Sequence, residues 1–357
     1  MKPEHNKQPK LFRLPALLVG ATLALAACGG DDGGGGGQSQ EPGGGDSGDK
    51  IRVAFVTNMV ADFWNIAKAG CEEAEKELNV EVEVKMPNPG TVEKQKQVVE
   101  DLISSGVQGI AISPLDADNQ IAWLNEVAGK VKLITHDSDA PGAERICYIG
   151  MDNYKAGRMC GQIVKDAIPG GGEVMLFIGR LEQANSKLRR QGVIDELLDR
   201  PTPEDLANVN YDPEGQPIKG EKFTILDTLT DQGKPEVAKQ KAADSINVYP
   251  EMKAMVGLFE YNPPACYQAL KQAGKLGEIA LIGFDENDIT LQGIKDGAVA
   301  GTVVQDPFEY GFRSVEMLKS IIEGNEPIST FIDIAPRKIT SENVDEFWAD
   351  LKAKKEG

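Results

Sequence analysis

From residue 51 onward, short runs of β-branched and apolar residues alternate with longer stretches whose apolar positions recur at helical spacing. Residues 51–57 read as a strand, and over 63–78 a helical stripe carries Phe63, Ile66, Ala67, Ala74 and Leu78. A strand over 80–86, a helix over 92–104, a strand over 109–113, a helix near 117–128 and a strand over 131–135 follow. The rhythm restarts after Tyr148-Ile149-Gly150, with a helix over 154–167, a strand over 173–178 and a helix near 185–198. Strands over 223–226, 254–258, 279–283 and 299–304 and helices over 235–247 and 264–273 continue it. This alternation predicts an α/β fold with right-handed crossovers and parallel sheets covered on both faces. Apolar runs such as Ile110-Ala111-Ile112 fit strands buried from both sides. The segment between Arg200 and Lys222, rich in Pro, Asp and Gly, reads as an inserted surface loop or hairpin. About 300 residues in two such series exceed one ordinary core and predict two domains.

Ahead of residue 51 the pattern changes. Lys2, Lys7, Lys10 and Arg13 precede an apolar run over 17–26 that closes on Leu25-Ala26-Ala27-Cys28. A basic start, a short apolar core and small residues before a cleavage point are the parts of a secretory signal. The apolar core falls short of the ~20 residues needed to span a bilayer, which argues against a membrane-spanning anchor. Ending on Cys is the lipoprotein arrangement, in which the thiol is acylated and the preceding peptide removed. A signal peptide over 1–27, lipidation at Cys28 and a lipid-anchored periplasmic or extracytoplasmic location are therefore expected. Residues 28–50, dominated by Gly with Asp, Ser, Gln and Glu, read as a flexible tether.

The net charge of −18 argues against nucleic acid or anionic lipid as a partner, since both need basic surface. Cys71, Cys147, Cys160 and Cys266 form no CxxC pair. Buried free thiols are expected, with a Cys147–Cys160 bridge as the alternative. Catalytic signatures are missing. His5 lies in the signal segment, and His136 stands alone beside Asp137, without the second His or paired Cys of a zinc site. There is no GxSxG elbow, Walker loop or HExxH. Gly170-Gly171-Gly172 precede a strand and do not open a helix, so they do not form a phosphate cradle. Asp285-Glu286-Asn287-Asp288 lacks the ligand spacing of a calcium loop. Neither an enzyme, nor a cofactor, nor a metal is expected.

What remains is polar and aromatic residues just past strand ends, where open α/β sheets bind ligands. Thr57-Asn58 and Phe63-Trp64 follow the first strand, Ser113 the third and Asp137 the fourth. The second series offers Asp152-Asn153, Arg189, Phe284-Asp285 and Gln305. Singly, each reads as a solvated loop residue or helix cap. Converging on one sheet edge, they suit a sugar: flat aromatics cover the C–H face of a ring, while carboxylates, amides and a guanidinium serve its hydroxyls.

These residues carry a resemblance. In Val53–Trp64 (VAFVTNMVADFW), Gly109–Asp118 (GIAISPLDAD), Leu133–Asp137, Gly150–Gly157 (GMDNYKAG), Ile282–Asp285 (IGFD) and Gly301–Pro307 (GTVVQDP), the chain resembles ribose-binding-like periplasmic sugar-binding proteins. The resemblance runs from about residue 49 to 341. It implies a type I periplasmic binding protein fold: two doubly wound parallel-sheet lobes joined by a three-strand hinge that closes around the ligand. The expected lobes are 51–151 plus 306–333 and 152–305 plus 334–342, followed by a C-terminal helix or tail over 343–357. Carried over position by position, it implies ligand contacts from Thr57, Phe63, Trp64, Ser113, Asp137, Arg189, Asp285 and Gln305. Phe284 should pack beside them, and Asn262 is the candidate from the loop near 259–262. The chain departs from the ribose-binding pattern at Ala61, where asparagine is usual, at Ser138, where arginine is usual, and at Met151, where a small polar residue is usual. Those changes count against ribose itself within the broader class, and another pentose, a hexose or a polyol fits. The implied partners are a monosaccharide and a membrane permease with its ATPase, the protein itself acting as a monomer. The alternative is a signalling or chemotaxis receptor for a sugar or an autoinducer-2-like furanone.

Overall fold

The computed structural model describes residues 50–206 and 209–356. The expected signal peptide, Cys28 and nearly all of the tether lie outside the described residues. In chain order the first series runs β1 (Arg52–Val56), α1 (Asp62–Leu78), β2 (Glu81–Lys85), α2 (Val92–Ser104), β3 (Gly109–Ile112), α3 (Ile121–Ala128), β4 (Lys132–His136) and β5 (Tyr148–Gly150). The second runs α4 (Asn153–Ala167), β6 (Gly172–Ile178), α5 (Ala184–Leu197), β7 (Ile218–Lys219), β8 (Phe223–Thr230), α6 (Pro235–Val248), β9 (Met252–Gly257), α7 (Asn262–Gln272), β10 (Ala280–Phe284), α8 (Asp288–Lys295) and β11 (Gly301–Val304). The chain ends with α9 (Pro307–Ile322), β12 (Phe331–Asp333), β13 (Arg337–Ile339) and α10 (Val344–Glu356).

The strands form two sheets. One has the order β12-β5-β4-β3-β1-β2 and is parallel throughout. The other has the order β13-β11-β10-β9-β6-β8-β7 and is parallel except where β13 meets β11 and β7 meets β8. Each sheet with its covering helices forms a lobe, and the chain passes between the sheets after β5, after β11 and between β12 and β13. The apolar runs have the physical consequence expected of them: β3 is buried along its whole length, between helices on both faces. The charged alternation Glu81-Val82-Glu83-Val84-Lys85 belongs to β2 at the sheet edge, where carboxylates and a lysine discourage further strand pairing.

Three departures from the sequence pattern have local causes. The helix expected near 117 begins at Ile121, because the Gln120 amide oxygen accepts from the backbone of Leu115 and Asp116 and holds a turn ahead of it. The strand expected over 223–226 continues to Thr230; its polar second half is serviced by buried Arg190, which donates to Thr228 Oγ1 at 2.7 Å. Residues 288–295 and 307–322 are helical, started by the caps Asn287 and Asp306. The segment between 200 and 222 does carry a short hairpin, β7 against β8. Cys71, Cys147, Cys160 and Cys266 are free and buried, so the Cys147–Cys160 bridge is not formed. Among the described residues, no helix is long and apolar enough to cross a membrane.

In each lobe one helix pair approaches through glycine. A Cβ at Gly311 of α9 would lie 2.0 Å from the Ala67 carbonyl oxygen of α1, and one at Gly192 of α5 would lie 2.1 Å from the Tyr154 oxygen of α4. These contacts set how close α9 comes to α1 and α5 to α4. Gly192→Ala is expected to force α4 and α5 apart and to cost about 1–3 kcal/mol. Urea denaturation checks this, and an unchanged midpoint with unchanged slope would contradict it.

Candidate ligand-binding site

In each sheet the first strand of its series lies between the next two parallel strands: β1 between β2 and β3, and β6 between β8 and β9. At such a switch point successive connections leave on opposite faces, opening a crevice at the carboxyl ends. The loops after β1, β4, β9, β10 and β11, together with α1 and α5, wall one small cavity of about 50 Å³ between the lobes. Asn58, Phe63, Trp64 and Asp137 face it from the first lobe; Arg189, Asp285 and Gln305 face it from the second. A larger recess of about 350 Å³ adjoins it, walled by α1 of the first lobe, including Asp62 and Ile66, and by Glu260 and Asp288 of the second.

The two carboxylates are placed alike. Asp137 follows β4 and Asp285 follows β10, and both adopt left-handed backbone, with φ of 56° and 64°. That conformation is costly for a residue with a Cβ and persists only where the surroundings impose it. Here the neighbouring strand imposes it twice. Asp137 N–H donates to Ile149 O at 3.1 Å while its own carbonyl accepts from Tyr148 OH at 2.8 Å. Asp285 N–H donates to Val303 O at 2.8 Å while its carbonyl accepts from Thr302 Oγ1 at 2.9 Å. The turn aims each side chain inward and leaves it nearly inaccessible.

Burial lifts both carboxyls. Asp137 is pushed up to about 6 by desolvation, which outweighs the Arg189 charge and hydrogen bonds from Ser113 Oγ (2.9 Å) and Asn185 Nδ2 (3.3 Å). Desolvation raises Asp285 further, to about 7, against the opposing pull of Arg189 and a 2.8 Å bond from Gln305 Nε2. The Gln305 amide is oriented by Tyr310 OH, which donates to its Oε1 at 3.1 Å.

Arg189 is the buried cation between them. Its Nε and Nη2 donate to Asn153 Oδ1 at 3.2 and 2.9 Å, and its Nη1 donates to Leu258 O at 2.8 Å. Its guanidinium carbon lies 3.8 Å from the ring centre of Phe284, a cation–π stack that fixes its plane. One N–H on each terminal nitrogen is left for a ligand. Across the cavity Phe63 and Trp64 meet edge to face at 4.8 Å, and Trp64 Nε1 donates to Asn58 Oδ1 at 3.0 Å. His136 stacks on Phe55 beneath them with its Nε2 on Val56 O, and burial lowers it to about 3, so it is neutral and structural.

The remaining expected residues sit one layer back. Thr57 donates to Met59 O and shapes the loop. Ser113 reaches the site through Asp137, and Phe284 lies beneath Arg189. Met151 lines a separate recess beside the hinge. Asn262 accepts from Phe259 N–H and donates to buried Asp231 at 2.8 Å, which pins the loop after β9. That loop brings Phe259, Glu260 and Tyr261 to the cavity, where Met59, Ala61 and Asn185 also contribute wall. Asn185 has the clearest overlooked signal, since it precedes Arg189 by four residues on the same helix face. The lobes also touch beside the cavity: Lys187 pairs with Asp118 at 2.7 Å, and Ala117 N–H donates to Glu182 O at 3.2 Å. Among the described residues, no group of three or more His, Cys, Asp or Glu is arranged to hold a metal ion.

Comparison with known proteins gives the same architecture. The sequence profile of the periplasmic binding protein domain matches residues 53–326. The chain is 26% identical over 293 residues to a ribose import binding protein of Bacillus subtilis, covering 80% of this chain and 86% of that one. It is 24% identical over 266 residues to a D-allose-binding periplasmic protein of Escherichia coli, covering 72% and 79%. A solute-binding protein from Burkholderia graminis, solved with D-arabinose, superposes with a TM-score of 0.73 at 26% identity, covering 82% and 96%.

Because both carboxyls are raised above their ordinary value of 3.8, the folded protein holds protons that the unfolded chain releases. Their contribution to stability therefore falls as pH rises from about 4 through 7. Asp285→Gly removes one buried carboxylate and suits the left-handed turn. The ligand-free variant is expected to be at least as stable as the parent at pH 8, with the difference shrinking toward pH 4. Urea denaturation at both pH values checks this; a variant that is weaker at pH 8 would contradict it.

Proposed function

Given that this chain belongs to the periplasmic binding protein domain family, within its ribose-binding-like sugar-binding group, we propose that it is a receptor for a monosaccharide. The sugar is gripped between the lobes and handed to an ABC transporter permease and its ATPase. The observation that carries the reading is the pairing of Asp137 and Asp285, one from each lobe, in matching left-handed turns around one cavity with Arg189 between them. A ring hydroxyl can donate to each carboxylate, the free N–H groups of Arg189 can donate to ring or hydroxyl oxygens, and Phe63 and Trp64 offer apolar surface to C–H groups. As a member of a binding-protein family, the chain is not an enzyme.

The grip comes from both lobes, so ligand favours the closed arrangement by the contacts it makes only there. Thr57, Ser113, Phe284 and Asn262 support the reading as residues that hold contact groups in place, and Asn58, Phe63, Trp64, Arg189 and Gln305 as contact groups. The hinge would turn at the three crossings between the sheets. The departures at Ala61, Ser138 and Met151 count against ribose itself, and another pentose, a hexose or a polyol fits. Of the two roles open to such a receptor, transport is favoured by the ribose import and D-allose-binding relatives. The membrane attachment is proposed to run through Cys28, in an extracytoplasmic compartment.

A thermal-shift screen of pentoses, hexoses and polyols is expected to single out one or a few stabilising sugars by mass action. For the best of them, loss of charge-assisted hydrogen bonds worth about 1.5–3 kcal/mol should weaken binding at least tenfold in both Asp137→Ala and Asp285→Ala. Because hydroxyl donors prefer the ionised carboxylates, affinity should rise between pH 5 and pH 8. Calorimetry checks both, and affinity that is unaltered by either substitution removes that residue from the site. Separately, Cys28→Ala is expected to move the protein from the membrane to the soluble fraction; an unchanged distribution would refute the lipid anchor.

A further inference from the structure

We infer that the C-terminal helix α10 is a strap that holds the lobes closed, an inference that rests on the hinge-closure reading above. α10 begins just after β13, on the second lobe, and lies beyond the residues matched by the family profile. Its inward stripe, Val344, Phe347 and Leu351, is buried in one apolar cluster with Leu291 and Ile294 of α8 and with Ile66 of α1. The helix thus packs on α8 in one lobe and on α1 in the other.

Its polar contacts divide the same way. Trp348 Nε1 donates to Asp288 Oδ1 at 3.1 Å, and Asp345 pairs with Lys295, both partners belonging to α8. Nearer the chain end, Lys354 Nζ lies 3.4 Å from Asp306 Oδ2 and 5.8 Å from the ring centre of Phe308. Those two residues open α9 on the first lobe, directly after the cleft residue Gln305. Arg337 of β13 adds a 3.7 Å contact to Asp306.

The contacts with the first lobe lie where a hinge rotation acts. Ile66 is within a turn of Phe63 and Trp64, so α1 presents its aromatic pair to the cavity and its next turn to α10. Opening that carries α1 and α9 away from α8 strips Ile66 from Phe347 and Leu351 and lengthens Lys354–Asp306. The α8 contacts travel with α10 and are kept. Contacts unique to the closed form bias the empty protein toward closing and tighten sugar binding by the same free energy.

Fluorescent labels at exposed Glu100 of α2 and Gln272 of α7 report the distance between lobes in the full-length protein, alone and with D-ribose, D-allose or D-arabinose. Lys354→Glu is expected to raise the open fraction of the sugar-free protein about threefold, the scale of one partly exposed ion pair. Lys352→Glu makes the same charge change beside Trp348, away from Asp306, and should leave that fraction unchanged. No shift in Lys354→Glu, or equal shifts in both, overturns the strap while leaving hinge closure intact. A single distance that no variant or sugar moves overturns hinge closure and the strap together.

Discussion

Keeping two carboxylates out of water, on backbone that disfavours them, is the constraint around which this molecule is organised. Asp137 and Asp285 occupy left-handed turns at the ends of β4 and β10. Each turn is stable because the adjacent strand accepts its N–H and supplies a hydroxyl to its carbonyl. The buried charge is offset by Arg189, which must itself be held: by Asn153, by the Leu258 carbonyl and by the face of Phe284. Arg189 reaches that position because α5 packs tightly on α4 at Gly192. The sheets, the glycine contacts and the polar residues one layer back share a task, which is to keep an energetically unfavourable site in place.

Two carboxylates face one guanidinium, and burial raises both carboxyls, a shift that hydrogen-bond donors oppose. A hydroxylated ring would supply those donors and allow both groups to ionise. Binding, proton release and closure then become one linked equilibrium, to which α10 contributes from outside the cavity.

Much of this was legible in the sequence. The alternation of apolar strands with helical stripes fixed the α/β architecture, because strands buried on both faces tolerate few polar residues. Seven of the expected contact residues line the cavity: Asn58, Phe63, Trp64, Asp137, Arg189, Asp285 and Gln305. Each directly follows a strand or lies on the helix that does, where topology dictates position. The rest depended on three-dimensional detail. Nothing local reveals that Asn262 turns to Asp231, which lies thirty-one residues earlier and meets it only in the fold. Glu260 and Tyr261 reach the cavity because of that bond, so they were equally hidden. α8 and α9 are poorly marked in the apolar pattern because their starts are written in the caps Asn287 and Asp306, beside the candidate ligand residues Asp285 and Gln305.

The most direct test of the central claim is carbon-13 NMR titration of the Asp137 and Asp285 carboxyl groups, empty and saturated with the sugar that stabilises the protein most. Both should titrate well above ordinary aspartate in the empty protein and fall by at least a unit on saturation. Two carboxyls that titrate normally when empty, or that do not respond to bound sugar, would contradict the account.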